Sequence, residues 1–219
     1  MDERVKPKRA YNKGLRQEQA RSTRLRIADA ARRLFVTRGY NAVTMDGIAA
    51  EAGVAYQTVY AVFGNKLAVA REVIWTSFEA EGIDDLIGEA KASADPEVWL
   101  RSAARIARIV SERLGGLLRF MQESGDPDLL AEYQKVEDRR LEQERSLATM
   151  LEDSGRLRAG LSPSEALAVL WAMTGSHLHR QLVAQRRWTG ARYEEWLGDS
   201  LISLLLTGRP TRRTVRPRS

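Results

Sequence analysis

Residues 44–66 read TMDGIAAEAGVAYQTVYAVFGNK, from Thr44 to Lys66. Met45, Ile48, Ala49 and Ala52 recur at i, i+3, i+4 and i+7, the spacing of one apolar helix face. Gly53 follows and permits a backbone turn that other residues resist. A second helical pattern begins near Val54, with Val59, Val62 and Phe63 on its apolar side and Tyr56, Gln57, Thr58 and Tyr60 on the other. Two short helices joined at a glycine form a helix-turn-helix. The second helix of such a motif enters the DNA major groove, with its N-terminal residues toward base edges.

The chemistry of those residues sharpens the reading. Gln57 can pair bidentately with adenine, and Tyr56 offers a hydroxyl and an apolar ring. Thr58 can reach a phosphate or a thymine methyl. Thr44 is placed to cap the first helix of the motif through its hydroxyl. Gly47 occupies the place where a capping box would put Glu or Gln, and weakens a short helix by up to about 1 kcal/mol relative to alanine. That helix therefore depends on packing against its neighbours.

Working outward, Ser22 to Arg38 form a preceding helix with an inner stripe of Ile27, Ala30, Ala31, Leu34 and Phe35. Arg24, Arg26, Arg32 and Arg33 are expected to face outward. A further helix starts near Asn65 and continues its apolar face through Val69, Val73, Ile74 and Phe78. From about Arg24 to Ala70 the chain resembles the DNA-binding domain of TetR-type transcriptional regulators. The resemblance is carried by Ala30, Phe35, Gly39, Thr44, Ile48, Ala49, Ala52, Gly53, Val54, Thr58, Tyr60, Phe63 and Lys66. It implies that Thr44, Tyr60 and Lys66 touch DNA phosphates. Ala55 and Val62 depart from the family pattern, which often has a capping Ser or Thr and a His or Tyr there, so fewer phosphate contacts are expected.

The 219 residues carry a net charge of +6, unevenly placed. Residues 1–66 hold 13 Lys and Arg against 6 Asp and Glu, residues 67–208 hold 17 against 23, and residues 209–219 add five arginines. A basic module on an acidic body is the electrostatic footprint of nucleic-acid binding by one end. Cysteine is absent, which removes disulfides and thiolate chemistry and fits a reducing cytoplasm. No apolar run reaches the roughly 18 residues of a membrane span. The segment 1–21 reads as a basic disordered arm, 22–66 as the DNA-binding domain, 67–208 as a helical ligand-binding and dimerisation domain, and 209–219 as a basic disordered tail.

The larger part of the chain is helical throughout. Asp95-Pro96, Asp126-Pro127, Ser162-Pro163-Ser164-Glu165 and Thr189 are helix starts. Gly115-Gly116 marks a kink or boundary, and the run EDRRLEQER, residues 137–145, reads as solvated ion pairs. The expected fold is all-α, with about nine helices: a three-helix helix-turn-helix domain, then a larger helical bundle. The last two helices are apolar on more than one stripe, as in helices buried on two sides. The family resemblance turns this into a four-helix dimer interface, with Leu170, Leu178, Leu182, Trp196, Leu197, Leu201 and Leu205 as candidates.

The resemblance also implies a repressor released from an inverted-repeat operator by a small molecule. Trp99, Met121, Tyr133, Trp171, Met173, Thr174 and His177 are aromatic, soft or mildly polar, as ligand-pocket residues are, although each taken singly is more readily ordinary core. His177 and His179 are two apart and point to different helix faces, so no metal pair forms. No cofactor is expected. No nucleophile elbow, phosphate loop or metal spacing appears, so an enzyme is not expected. The partners expected are double-stranded DNA, an effector and a second copy of the chain. The rival reading is a DNA-binding helical protein with no small-molecule effector, controlled by a protein partner or by expression.

Overall fold

The computed structural model describes residues 7–207. Its helices are α1 (Pro7–Arg38), α2 (Met45–Ala52), α3 (Tyr56–Phe63), α4 (Lys66–Ala80), α5 (Ile83–Ala92), α6 (Pro96–Ile109), α7 (Gly115–Glu123), α8 (Pro127–Asp153), α9 (Pro163–Thr174), α10 (Ser176–His179) and α11 (Gly190–Leu205). π-helical turns, Val110–Leu114 and Arg180–Gln185, link α6 to α7 and extend α10. The all-α architecture is the one expected from the sequence. Among the described residues the chain has no strand, and no helix is long and apolar enough to cross a membrane.

The helix starts obey local chemistry. Thr44 Oγ1 accepts from Gly47 N at 3.0 Å, and Asp95 Oδ1 accepts from Glu97 N at 3.0 Å. Asp126 Oδ1 accepts from the amides of Asp128 and Leu129. Ser162 and Glu165 close a reciprocal capping box, and Thr189 accepts from Arg192 N at 3.2 Å. The double glycine stands at the boundary where the π-turn ends and α7 begins, and Gly115 keeps right-handed helical dihedrals, so the backbone stays helical across it. The irregularity falls one turn earlier, as the π-turn.

Two compact units emerge. The first joins residues 1–80 to 116–134, and the second joins 81–115 to 135–219. In the first, α1 packs on α2 and α4, and α3 on both α2 and α4. Ile27, Phe35, Ile48, Val59, Val69 and Ile74 are fully or almost fully buried there. Phe35, Tyr40 and Phe120 form an aromatic cluster, with the Phe35 and Phe120 rings stacked 5.5 Å apart.

In the second unit, α6 packs along α11 and also meets α5 and α9. Leu100, Leu151, Leu170, Tyr193, Leu197, Leu201 and Leu205 make its dry centre. The end of α11 is clasped to the connection before α9. Leu157 and Leu206 form an isolated antiparallel bridge, Arg158 N donates to Leu205 O at 2.8 Å, and Thr207 N donates to Arg156 O at 3.0 Å.

Several expectations are corrected. The arm assigned to 1–21 is helical from Pro7 onward, because α1 continues upstream through a sequence of good helix formers such as LRQEQAR. Residues 1–6 and the 209–219 tail lie outside the described residues. Arg24, Arg26 and Arg33 do not simply face solvent, because each has found an acceptor on another helix of its unit. The run 137–145 is not wholly solvated either, since Glu144 is buried.

Candidate nucleic-acid interface

The helix-turn-helix begins with α2, whose Met45, Ile48, Ala49 and Ala52 are all buried. Gly53 ends it at φ 63°, ψ 40°, a left-handed conformation that costs a glycine little. Arg26 Nη2 then donates to Ala52 O at 2.8 Å and to Gly53 O at 3.3 Å. A cation thus lies at the negative end of α2 and holds the turn from α1.

Helix α3 is anchored by Val59 and Phe63, both buried, and Val62 is half-buried rather than part of a continuous apolar stripe. Its N-cap residue, Ala55, supplies no side-chain hydrogen bond, as its identity dictates. The opposite side is open. Tyr56 and Tyr60 are 40% and 41% exposed, with their rings 4.5 Å apart. A hydrogen bond to Tyr60 pushes the Tyr56 hydroxyl up to about 12, so it stays protonated. Gln57 is exposed and Thr58 half-buried, both on the first turn of α3. The structure thus brings Tyr56, Gln57, Thr58 and Tyr60 together on one short helix, with the exposed Thr44 at the start of α2.

Lys66 is more constrained than its sequence position suggests. Its Nζ donates to Tyr40 O at 2.9 Å and to Val43 O at 3.0 Å, and lies 4.1 Å from the centre of the Tyr40 ring. Burial lowers its pKa from the ordinary lysine value. A lysine head has a further N–H to offer, so a phosphate can still be met while the two carbonyl bonds hold. Burial likewise pushes the Tyr40 hydroxyl up to about 12.

Sequence reasoning missed the arginine scaffold behind α3. Arg24 makes a bidentate pair with Glu72, at 2.6 Å for each bond. Its guanidinium lies 4.5 Å from the centre of the Phe63 ring and donates to Val62 O. One side chain therefore ties α1 to the end of α3 and to α4. The only signal in the sequence was an abundance of arginine on a helix expected to be solvated.

Of the seven pocket candidates, two lie in the first unit and five in the second. Met121 is fully buried and Tyr133 half-buried, both in the first unit. Trp99 is buried in the second, donating Nε1 to Ser93 O at 2.9 Å. Trp171 and Thr174 are engaged by Arg140, Met173 packs against the core, and His177 is exposed with Nδ1 3.2 Å from Arg180. The second unit has a cleft of about 590 Å³ elsewhere, lined by Arg101, Arg108, Glu112, Gly190, Ala191, Glu194 and Glu195. Of the interface candidates, Leu170, Leu197, Leu201 and Leu205 are fully buried within the single chain, which leaves them no surface for a partner. Leu178, Leu182 and Trp196 are only partly buried.

Residues 27–73 match the model of the bacterial regulatory proteins of the tetR family. A stretch of 56 residues is 45% identical to the uncharacterised HTH-type transcriptional regulator TtgW of Pseudomonas putida, covering 26% of this chain and 42% of that protein. The fold is similar to that of NalD, the secondary repressor of the MexAB-OprM multidrug efflux pump in Pseudomonas aeruginosa, with a TM-score of 0.68 at 22% identity over 86% of this chain and 98% of the other. It is also similar to SmeT in its complex with triclosan, with a TM-score of 0.71 at 21% identity over 90% and 100% of the two chains.

Proposed function

Because this chain belongs, through residues 27–73, to the tetR family of bacterial regulatory proteins, we propose that it is a cytoplasmic, homodimeric, sequence-specific DNA-binding repressor. Its operator is an inverted repeat, and a small molecule bound in the C-terminal bundle releases it. The observation that carries the reading is the make-up of α3. Two buried anchors, Val59 and Phe63, leave Tyr56, Gln57 and Tyr60 exposed on a helix short enough to lie in one major groove. Tyr56 and Gln57 read bases, Thr58 reads a base or a phosphate, and Thr44, Tyr60 and Lys66 hold phosphates.

Release requires an effector with unequal affinity for the DNA-bound and free conformations. The likeness to SmeT, solved with triclosan, supports a small-molecule effector. The packed state of Trp99 and Trp171 supports the rival reading, a regulator of the same DNA-binding type without such an effector.

Selection of bound DNA from a random library tests the central claim. Enrichment of an inverted repeat, with half-sites one helical turn or a multiple apart, is the expected result. Salt-sensitive binding with no enriched sequence would overturn it.

A further inference from the structure

The α8 run Glu137–Arg145 turns three of its charged residues, Glu137, Arg140 and Glu144, inward. Glu144 is only 7% exposed. Its Oε1 accepts from Arg140 Nη1 at 3.0 Å and from the Thr174 hydroxyl. Its Oε2 is buried with no hydrogen-bond partner. The Arg140 guanidinium lies 3.5 Å from the centre of the Trp171 ring. It also donates to Glu137 Oε2 at 2.9 Å, to Thr174 Oγ1 at 3.3 Å and to Trp171 O at 3.4 Å.

These groups make a box with an indole floor, two carboxylate walls, a hydroxyl and a carbonyl. Every element of it favours a flat cation: the ring face attracts positive charge, and the carboxylates and carbonyl accept from its N–H groups. The present occupant is the chain's own arginine. Its side chain is 25% exposed on a flexible stem, so it can withdraw to solvent. What it would leave behind is a buried carboxylate, which is costly without a cation. Burial already raises the Glu144 carboxyl above its ordinary range, with Arg140 in place.

We propose that this box is a binding site for a planar organic cation, an amidinium or guanidinium compound, which enters by displacing Arg140 from Trp171 and Glu144. The proposal rests on the reading that the second unit receives a small-molecule effector, and it names the chemistry of that effector. Arg140 then acts as an internal competitor. Only the fraction of molecules with the arginine withdrawn binds, so the apparent affinity is lowered by that fraction.

Calorimetric titration of the full chain with benzamidine tests this. Wild-type protein should bind, and Glu144→Gln should weaken binding at least about tenfold. Arg140→Ala should tighten it by about tenfold or more, the gain expected if the open form is a minor state of about 10% or less. Benzyl alcohol, similar in shape but uncharged, should not bind either protein. Equal benzamidine binding by wild type and Glu144→Gln would overturn the site, as would equal affinity of Arg140→Ala for benzamidine and benzyl alcohol. If Arg140→Ala does not fold, the comparison of wild type with Glu144→Gln decides alone. In that pair the substituted amide still reaches Thr174 and leaves no buried charge. Operator affinity is measured separately. Glu144-dependent benzamidine binding that leaves DNA affinity unchanged would refute the effector reading and leave the site standing.

Discussion

On the proposed function, Lys66 joins two tasks in one side chain. Its two bonds to the Tyr40 and Val43 carbonyls fix the entry into α2, while its remaining N–H can face phosphate. Lys66→Ala should therefore weaken binding to all sequences alike and flatten its salt dependence. It should also destabilise the folded chain by about 2 kcal/mol, the scale of hydrogen bonds from a charged donor, read by urea unfolding. Gln57→Ala, at an exposed position, should leave stability unchanged and alter preference at one or two base pairs. An unaltered preferred site would remove Gln57 from the base-reading set. His179 gives a pH signature. Its Nε2 is buried without a hydrogen bond, 3.8 Å from Glu112 Oε1, and its ring meets Tyr193 edge-on. Burial lowers its pKa below the ordinary 6.5, with Glu112 opposing the shift and Arg108 adding to it. The unfolded chain then takes up the proton first. This contribution to stability is complete above pH 6.5 and is lost as pH falls from 6.5 toward the folded value. Urea unfolding between about pH 7.5 and 5.5 should show the loss, and His179→Gln should reduce it.

Among the elements, α3 is the one with a missing start. Ala55 sits in extended backbone at φ −66°, ψ 144°, where a serine hydroxyl could accept an orphan amide. Ala55→Ser should stabilise the chain by about 1 kcal/mol, visible as a higher Tm. No gain would mean that tertiary packing already fixes the α3 start. The helix starts at Thr44, Asp95, Asp126, Ser162 and Thr189 could be read from sequence because a cap and its amide lie two or three residues apart. The arginine contacts could not. Arg24 meets Glu72 across 48 positions, Arg26 meets Ala52 across 26, and Arg140 meets Thr174 across 34. A charge pattern read along one helix cannot distinguish a solvated arginine from one committed to a distant partner. The exposed face of α3 was legible because its apolar anchors and exposed side chains alternate within eight residues.

At the scale of the whole chain, the apolar character of α9 and α11 was legible but its destination was not. Periodicity shows that a helix is buried on two sides, and does not say whether the second side meets the same chain or a copy. Leu201 has no exposed surface, so Leu201→Glu should unfold the second unit rather than yield a folded monomer. Leu204, 41% exposed on α11, is the position at which a glutamate should separate a dimer while leaving the fold intact. Sedimentation equilibrium and circular dichroism on the two variants check this, and a Leu204→Glu protein that stays dimeric would move the interface off that face of α11. The clasp between Leu206 and the 156–158 connection bears on protease sensitivity. A protease needs several residues of free extended backbone, and here the main chain of Arg156 and Arg158 is already committed to Thr207 and Leu205. Both arginines are trypsin sites by residue type. They should nonetheless resist cutting until the end of α11 peels away, which would make the appearance of those fragments a clock for that local opening.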